Sequence, residues 1–483
     1  MAKRFSQIFK LGLDQPQLDF VDIAPSTDTP LYIDPFAISL KEDEWSSQCH
    51  THIKSFFGTA LDHIRAKRAP QAKLLLNGLR EPNETCLGMS KGKPSGRGVS
   101  GKQAIDLYTS LSNSQAAKSG LLEELEDCDL FVEGIGPDKL SDITTNIIRR
   151  LLIEYTQDQC TLHGIALKGT HPSGRFWDIP SRSWRSDYVQ LPVVGKRPVI
   201  LVPKYSVRRK MCINAQEYYS HHVLRHIQEE ELDRKSSLVR VLKSGEIRPP
   251  HKKDIKKSNP FSKDFLARFS QDNPEVLEGY KNVYKGLAGA KGTLDLDEFD
   301  DGFDEPSFAK AIIDRLKAIP PGDAHANDYH TLMIGTLEFI FWPQLIYPKK
   351  EDPIHSGRKR IDITYSNAAQ SGFFYRVHAA HNIGALKIMV ECKNYSKDPE
   401  NPEIDQLSSR FAVNRGRVGL LLYRTADKYD RLVKRCKDTA VDGRGVIIPL
   451  GDEQLIQFLE LIADGRRSAI DRELESILSK LIS

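Results

Sequence analysis

The chain has 483 residues, 40% hydrophobic and 28% charged, which suits two or three domains with sizeable cores and excludes a wholly disordered polymer. Its 69 Lys and Arg against 65 Asp and Glu leave a net charge of only +4, so where charge sits says more about partners than the sum does. Cysteines stand scattered at Cys49, Cys86, Cys128, Cys160, Cys212, Cys392 and Cys436 with no C-x-x-C pair, which excludes a zinc ribbon and speaks against a disulfide framework.

In chain order, the first segment, MAKRFSQIFKLGLDQPQLDF, lacks the long apolar core of a secretory signal. The longest apolar stretch, Leu332 to Trp342, is broken by Glu338 and falls well short of the roughly 20 residues that span a bilayer. A cytoplasmic protein with no membrane partner is expected. LYIDPFAI reads as an apolar segment ending in a turn, followed by a helical stretch from Trp45 to Leu79. Residues 88–102, rich in Gly and basic side chains, read as loop. Lys102 to Asp129 is again helical in pattern, and DLFVEGI (129–135) predicts a strand. GPDKLSD predicts a turn, with Ser141 or Asp142 capping a helix over TTNIIRRLLIEYTQ. PVILVPKYSV (198–207) predicts a buried strand. Residues 244–264, basic and poor in apolar side chains, read as an exposed connector. The acidic run at 295–305 should stay extended or loosely ordered through like-charge repulsion.

From about Ala324 the pattern sharpens. A helix is predicted over 330–342, capped by Asn327 or Asp328, then strands over 343–348, 360–366 and 386–394. A helix over 403–414, a strand over 418–424, a helix over 425–440 and a strand over 445–450 follow. The order is αβββαβ, then αβ. Side chains alternate faces along a strand, so in LKIMVECKN the carboxylate of Glu391 and the amine of Lys393 share one face. In RIDITYS, Asp362 lies on the face opposite Ile361, Ile363 and Tyr365. If the two strands are neighbours, Asp362 meets Glu391 at a strand end. Carboxylates held close repel and favour a shared divalent cation, and hard oxygen ligands select magnesium or manganese over zinc. Glu338, on an otherwise apolar helix, needs a partner or a metal and is a third candidate carboxylate.

This arrangement resembles the PD-(D/E)xK nuclease superfamily over about 130 of the 483 residues. Asp362 matches the aspartate of its second strand and Glu391-Cys392-Lys393 the E-x-K of its third. Glu338 matches a helix glutamate many members carry, and Gln406 a glutamine of Mrr-like restriction endonucleases. The resemblance implies a restriction-endonuclease-like core with a mixed central sheet and metal held by Asp362, Glu391, the Cys392 backbone carbonyl and Glu338. It implies Lys393 as catalytic lysine, with Gln406 orienting the site. Two features depart from the family pattern: Ile361 stands where proline is common, and 367–385 reads as an inserted hairpin or loop. Arg358, Lys359 and Arg360 would hold a backbone phosphate, with Arg410, Arg415 and Arg417 as weaker candidates.

The expected whole is an α/β chain in three parts. Residues 1–243 would be a mixed α/β recognition or sensor domain, 244–323 a basic then acidic linker region with helices, and 324–483 a nuclease domain. The expected activity is magnesium- or manganese-dependent hydrolysis of DNA, with RNA left open, in bacterial restriction or antiphage defence. A homodimer or a defence-system protein would be the protein partner. Two rivals stand beside it: an inactive nuclease fold that binds DNA or scaffolds a complex, and a nucleotide-driven enzyme using Gly96–Lys102. That loop matches G-x-x-x-x-G-K but carries Gln103 where a P-loop has Ser or Thr. Asp138 and Asp142 with Lys204 form a fainter echo of a metal site, outweighed by a turn and helix cap.

Overall fold

The structure is a computed structural model describing residues 2–89, 101–234, 236, 238–242, 246–287, 294–300, 302–350 and 363–483. It is mixed α/β, with helices dominating the first two thirds and a five-stranded mixed sheet organising the last third. No helix among the described residues is long and apolar enough to cross a membrane.

The N-terminal region is more helical than the sequence pattern predicts. Tyr32–Ile33 pairs only with Val207–Arg208, and Asp34 caps the helix Pro35–Ser39 by accepting from the Phe36 and Ala37 amides. The expected long helix divides into α1 (Glu44–Arg65) and Ala69–Leu76, separated where Lys67 takes a positive φ of 55° and Pro70 opens a new first turn. DLFVEGI is not a strand: Asp127–Phe131 is a short helix whose five residues are all buried. A short apolar run does not discriminate buried helix from buried strand. The GPDKLSD turn is also helix. Pro137 opens Pro137–Ile147 after Gly136, and Ser141 Oγ accepts from the Ile33 amide instead of capping. α2 (Arg149–Leu162) follows. Val199 to Val202 is buried as expected but forms no ladder among the described residues, its backbone bonding instead to Pro192, Glu84, Val21 and the Thr156 hydroxyl.

Within the stretch expected as exposed connector, 244–264, residues 252–258 form a helix, and two further helices follow in the linker region that was expected to contain helices. Lys252–Ser258, Lys263–Asp272 and Pro274–Leu287 place Ile255, Leu266, Phe269 and Tyr280 in the N-terminal core. One apolar residue, Ile255, anchors the basic run HKKDIKK, Lys252 donates to the Ser220 carbonyl at 2.7 Å, and Lys253, Lys256 and Lys257 stay exposed. The acidic run carries the short helix Leu296–Phe299 and the start of α3 (Glu305–Ala318), with Pro306 in the first turn.

In the C-terminal region, whose core α3 joins through Ala309, Ile312, Ile313 and Leu316, α4 (Ala326–Phe341) has His325 as its N-cap rather than Asn327 or Asp328. It is apolar on most sides and buried accordingly. β1 (Leu345–Lys350), β2 (Ile363–Asn367), β3 (Lys387–Lys393), β4 (Val418–Tyr423) and β5 (Val446–Gly451) lie side by side in chain order. β1–β2 and β2–β3 pair antiparallel, β3–β4 and β4–β5 parallel. α5 (Gly372–Ala379) occupies the segment expected as hairpin or loop, burying Phe373, Phe374 and Val377. α6 (Asn401–Ser408) and α7 (Tyr429–Val441) make the crossovers that parallel neighbours require. Gly419 lets α6 approach β4, since a Cβ there would lie 2.9 Å from a Leu407 methyl. α8 (Asp452–Ala463) and α9 (Ile470–Ile482) complete the region, α9 burying Ile470, Leu474, Ile477, Leu478 and Leu481 at helical spacing.

The two regions pack closely. On α4, a Cβ at Gly335 would meet Leu13 Cδ2 at 2.7 Å and Gln17 Cβ at 2.9 Å, so glycine is what admits the N-terminal segment. Asp19 accepts from the Tyr347 amide at 3.1 Å, Gln159 donates to the Pro348 carbonyl at 3.0 Å, and Arg315 donates to the Gly12 carbonyl at 2.9 Å.

Candidate functional site

β3 places its side chains on two faces. Tyr365 of β2 pairs with Ile388, and its hydroxyl donates to the Ile334 carbonyl of α4 at 3.4 Å. Ile388, Val390 and Cys392 therefore face α4. Met389 pairs with Gly419, which lies under Leu407 of α6, so Met389, Glu391 and Lys393 face α6. The predicted sharing of one face by Glu391 and Lys393 holds. Their groups touch, Lys393 Nζ lying 2.5 Å from Glu391 Oε1, with both side chains nearly inaccessible. Ile363, the first described residue of β2, pairs with Val390, the residue before Glu391.

Arg410, just beyond α6, brings a second cation, its Nη1 lying 3.3 Å from Glu391 Oε2 with 8% of its side chain exposed. Each oxygen of the Glu391 carboxylate thus has a cation against it. Buried carboxylates need such compensation, and a guanidinium supplies it without losing its charge. Arg410 was read as a weak phosphate contact, and its place on Glu391 was not anticipated. The available signal was its spacing, one helical turn beyond Gln406. Gln406 itself is half-buried on α6.

Asp362 lies outside the described residues, as do Arg358, Lys359, Arg360 and residues 96–100 of the glycine-rich loop. Among the described residues, no group of three His, Cys, Asp or Glu side chains could hold a metal ion. Glu391 between two cations is too little negative charge for a divalent ion. The residues fit such an ion only as a set that includes Asp362.

Glu338 does not belong to this set. It lies on α4, across the sheet from Glu391, and its charged neighbours are Asp19 and Lys204 of the N-terminal region. Neither Glu338 oxygen has a hydrogen-bond partner among the described residues. Burial first, and then the charge of Asp19, push the Glu338 carboxyl well above its ordinary range, while Lys204 opposes the shift. Burial also raises Asp19 against the pull of a 2.6 Å hydrogen bond from the Tyr155 hydroxyl. Lys204, fully buried, has its Nζ 4.3 Å over the Trp342 ring, and burial lowers its pKa despite Glu338 and Asp19. Helix position called for a partner or a metal at Glu338; among the described residues no hydrogen-bond partner meets it, and burial pushes the carboxyl toward its neutral form, with Asp19 and Lys204, far away in the chain, as its charged neighbours.

That placement also separates Lys204 from Asp138 and Asp142. Asp142 is raised to about 8 by burial and by the nearby carboxylates of Asp138, Glu81 and Asp28. Cys392 turns its thiol toward α4, where burial raises its pKa and keeps it neutral. Only its backbone stays with the Glu391 face.

Residues 10–214 match the model of a family described as a domain of unknown function, DUF8370. No curated protein matches the chain, and no solved structure does.

Proposed function

We propose that the C-terminal region is a restriction-endonuclease-like domain that hydrolyses phosphodiester bonds in DNA with magnesium or manganese. The observation that carries this reading is the contact between Glu391 and Lys393 on one face of β3, beside the pairing of Ile363 with Val390. Asp362 directly precedes Ile363 in the chain and is the second acid the reading requires. Support also comes from the order of elements, α4-β1-β2-α5-β3-α6-β4 around a mixed sheet, which is the order the resemblance implies with α5 inserted between β2 and β3.

Asp362 and Glu391 would hold the ion, which when bound polarises a phosphoryl oxygen and lowers the pKa of water. Glu391 anchors the Lys393 ammonium, and Lys393 directs a donor toward the oxygen that gains negative charge. Arg410 balances the Glu391 carboxylate from the α6 side. Bacterial restriction or antiphage defence is the setting the resemblance implies, by analogy alone.

Arg410 also favours a second reading, a nuclease fold that binds DNA without cutting it, because a guanidinium on Glu391 competes with a metal for the same oxygen. Plasmid cleavage decides between them. With magnesium or manganese, and not with EDTA, the wild type should cut. Lys393→Ala should slow cutting by about 100- to 1,000-fold, the usual loss on removing one charge-stabilising donor. Equal cutting by Lys393→Ala, or cutting in EDTA, would remove the hydrolase reading.

A further inference from the structure

A cleft of about 380 Å³ opens where the N-terminal region meets the sheet, on the Glu391 side. Its floor is formed by Thr364 and Ser366 of β2 and by Lys387 of β3. These residues share the face of Glu391: Thr364 pairs with Met389 and Ser366 with Lys387, at positions two and four residues before it. At about 3.3 Å per residue, Lys387 lies about 13 Å along the strand from Glu391. Lys349, Lys350 and Arg415 join Lys387 in the lining, against the carboxylates of Glu44 and Glu154 on the opposite wall.

The basic side is held in place by backbone. The Lys387 amide donates to the Arg415 carbonyl at 2.8 Å. Gly416, at φ +131°, brings the chain so close that a Cβ would lie 2.6 Å from the Lys387 carbonyl oxygen. Lys350 and Arg415 form no ion pair among the described residues, whereas Lys349 pairs with Asp158 at 2.8 Å and Lys387 with Glu44 at 3.0 Å. The last pair crosses from α1 to β3 and joins the two walls. Lys387 and Lys349 together hold the Glu44 carboxyl below its ordinary range, so Glu44 stays a full anion where a ligand's anion would sit.

The geometry points to a phosphate-binding cleft for one strand of a nucleic acid, in which Glu44 of the N-terminal region stands in the place of a backbone phosphate until the strand displaces it. The cleft has the volume of a small-molecule pocket, enough for the backbone of about two nucleotides and too little for a duplex. Its cations suit phosphates, and the Ser366 hydroxyl on its floor is a neutral donor of the kind that positions a backbone without reading sequence. The proposal rests on the phosphodiesterase reading for what happens next along the strand, but binding itself requires neither metal nor turnover.

The test is fluorescence anisotropy of the full chain with a labelled single-stranded oligothymidylate in EDTA. Lys350→Ala with Arg415→Ala should weaken binding and lower the log–log salt slope by about two, one for each phosphate contact removed. Glu44→Gln should tighten binding by about two- to fivefold, as expected for removing a competing surface charge. Wild-type affinity in the double variant, or weaker binding by Glu44→Gln, would overturn the proposal. So would competition by polyglutamate as strong as that by unlabelled oligonucleotide, which would indicate an acidic protein partner instead. Cleavage assayed separately with magnesium keeps the two readings apart. Binding without cleavage removes the hydrolase and leaves the cleft, and cleavage together with wild-type binding by the cleft variants removes the cleft and leaves the hydrolase.

Discussion

Two buried glutamates lie on opposite faces of one sheet, and their surroundings differ in kind. Glu391 has a cation against each oxygen, both supplied by its own region. Glu338 has no hydrogen-bond partner among the described residues and only a non-contacting lysine and aspartate from the other region for charged company. A buried carboxylate persists either by being matched as an anion or by giving up its charge. Glu391 is matched, whereas burial drives Glu338 toward the neutral acid. The first arrangement suits chemistry on charged ligands, and the second suits a seam between two parts of a fold.

This contrast can be broken most forcefully at Glu391. Glu391→Ala removes the anion that Lys393 and Arg410 share, and should cost about 3–5 kcal/mol of stability in denaturant unfolding, the usual effect of breaking a buried ion pair. A cost under about 1 kcal/mol would mean that the site is wetter than its burial indicates. The seam is tested next. Gly335→Ala is a favourable change for an exposed helix, but the added methyl meets Leu13 and Gln17. The expected result is a loss of about 1–3 kcal/mol from overpacking, and a gain in thermal stability would show that the regions pack more loosely.

The Glu338 half of the comparison is sharpened by pH. The folded chain keeps a proton on Glu338 above its ordinary value of 4.5, where the unfolded chain has released it. Between those two titrations stability falls as pH rises, by at most about 1.4 kcal/mol per pH unit from this group. Asp19 shifts in the same direction and Lys204 downward, so the Glu338 component is isolated by comparison with Glu338→Gln. The variant should gain on the wild type as pH rises above the ordinary value of 4.5, and a constant difference would mean that Glu338 is ionised in the fold. The smallest effect belongs to Glu44→Gln. Its pair with Lys387 is largely exposed and should change stability by less than about 1 kcal/mol, so any larger shift in ligand affinity comes from the ligand.

The local periodicities of the chain carried a good deal. The strands around 345–350, 363–367, 387–393, 418–423 and 446–451 were legible because apolar side chains recur in short runs between turn signals, and the common face of Glu391 and Lys393 follows from strand geometry alone. The need of Glu338 for company was legible from its apolar helix. Tertiary structure alone decided which company it keeps, which face of the sheet it lies behind, and that Arg410 reaches Glu391. It also decided that the basic stretch at 252–258 is a docked helix. The physical reason is one of range. Alternation and helical spacing are properties of adjacent residues, whereas the partners of a buried charge are set by packing between segments that no local pattern links.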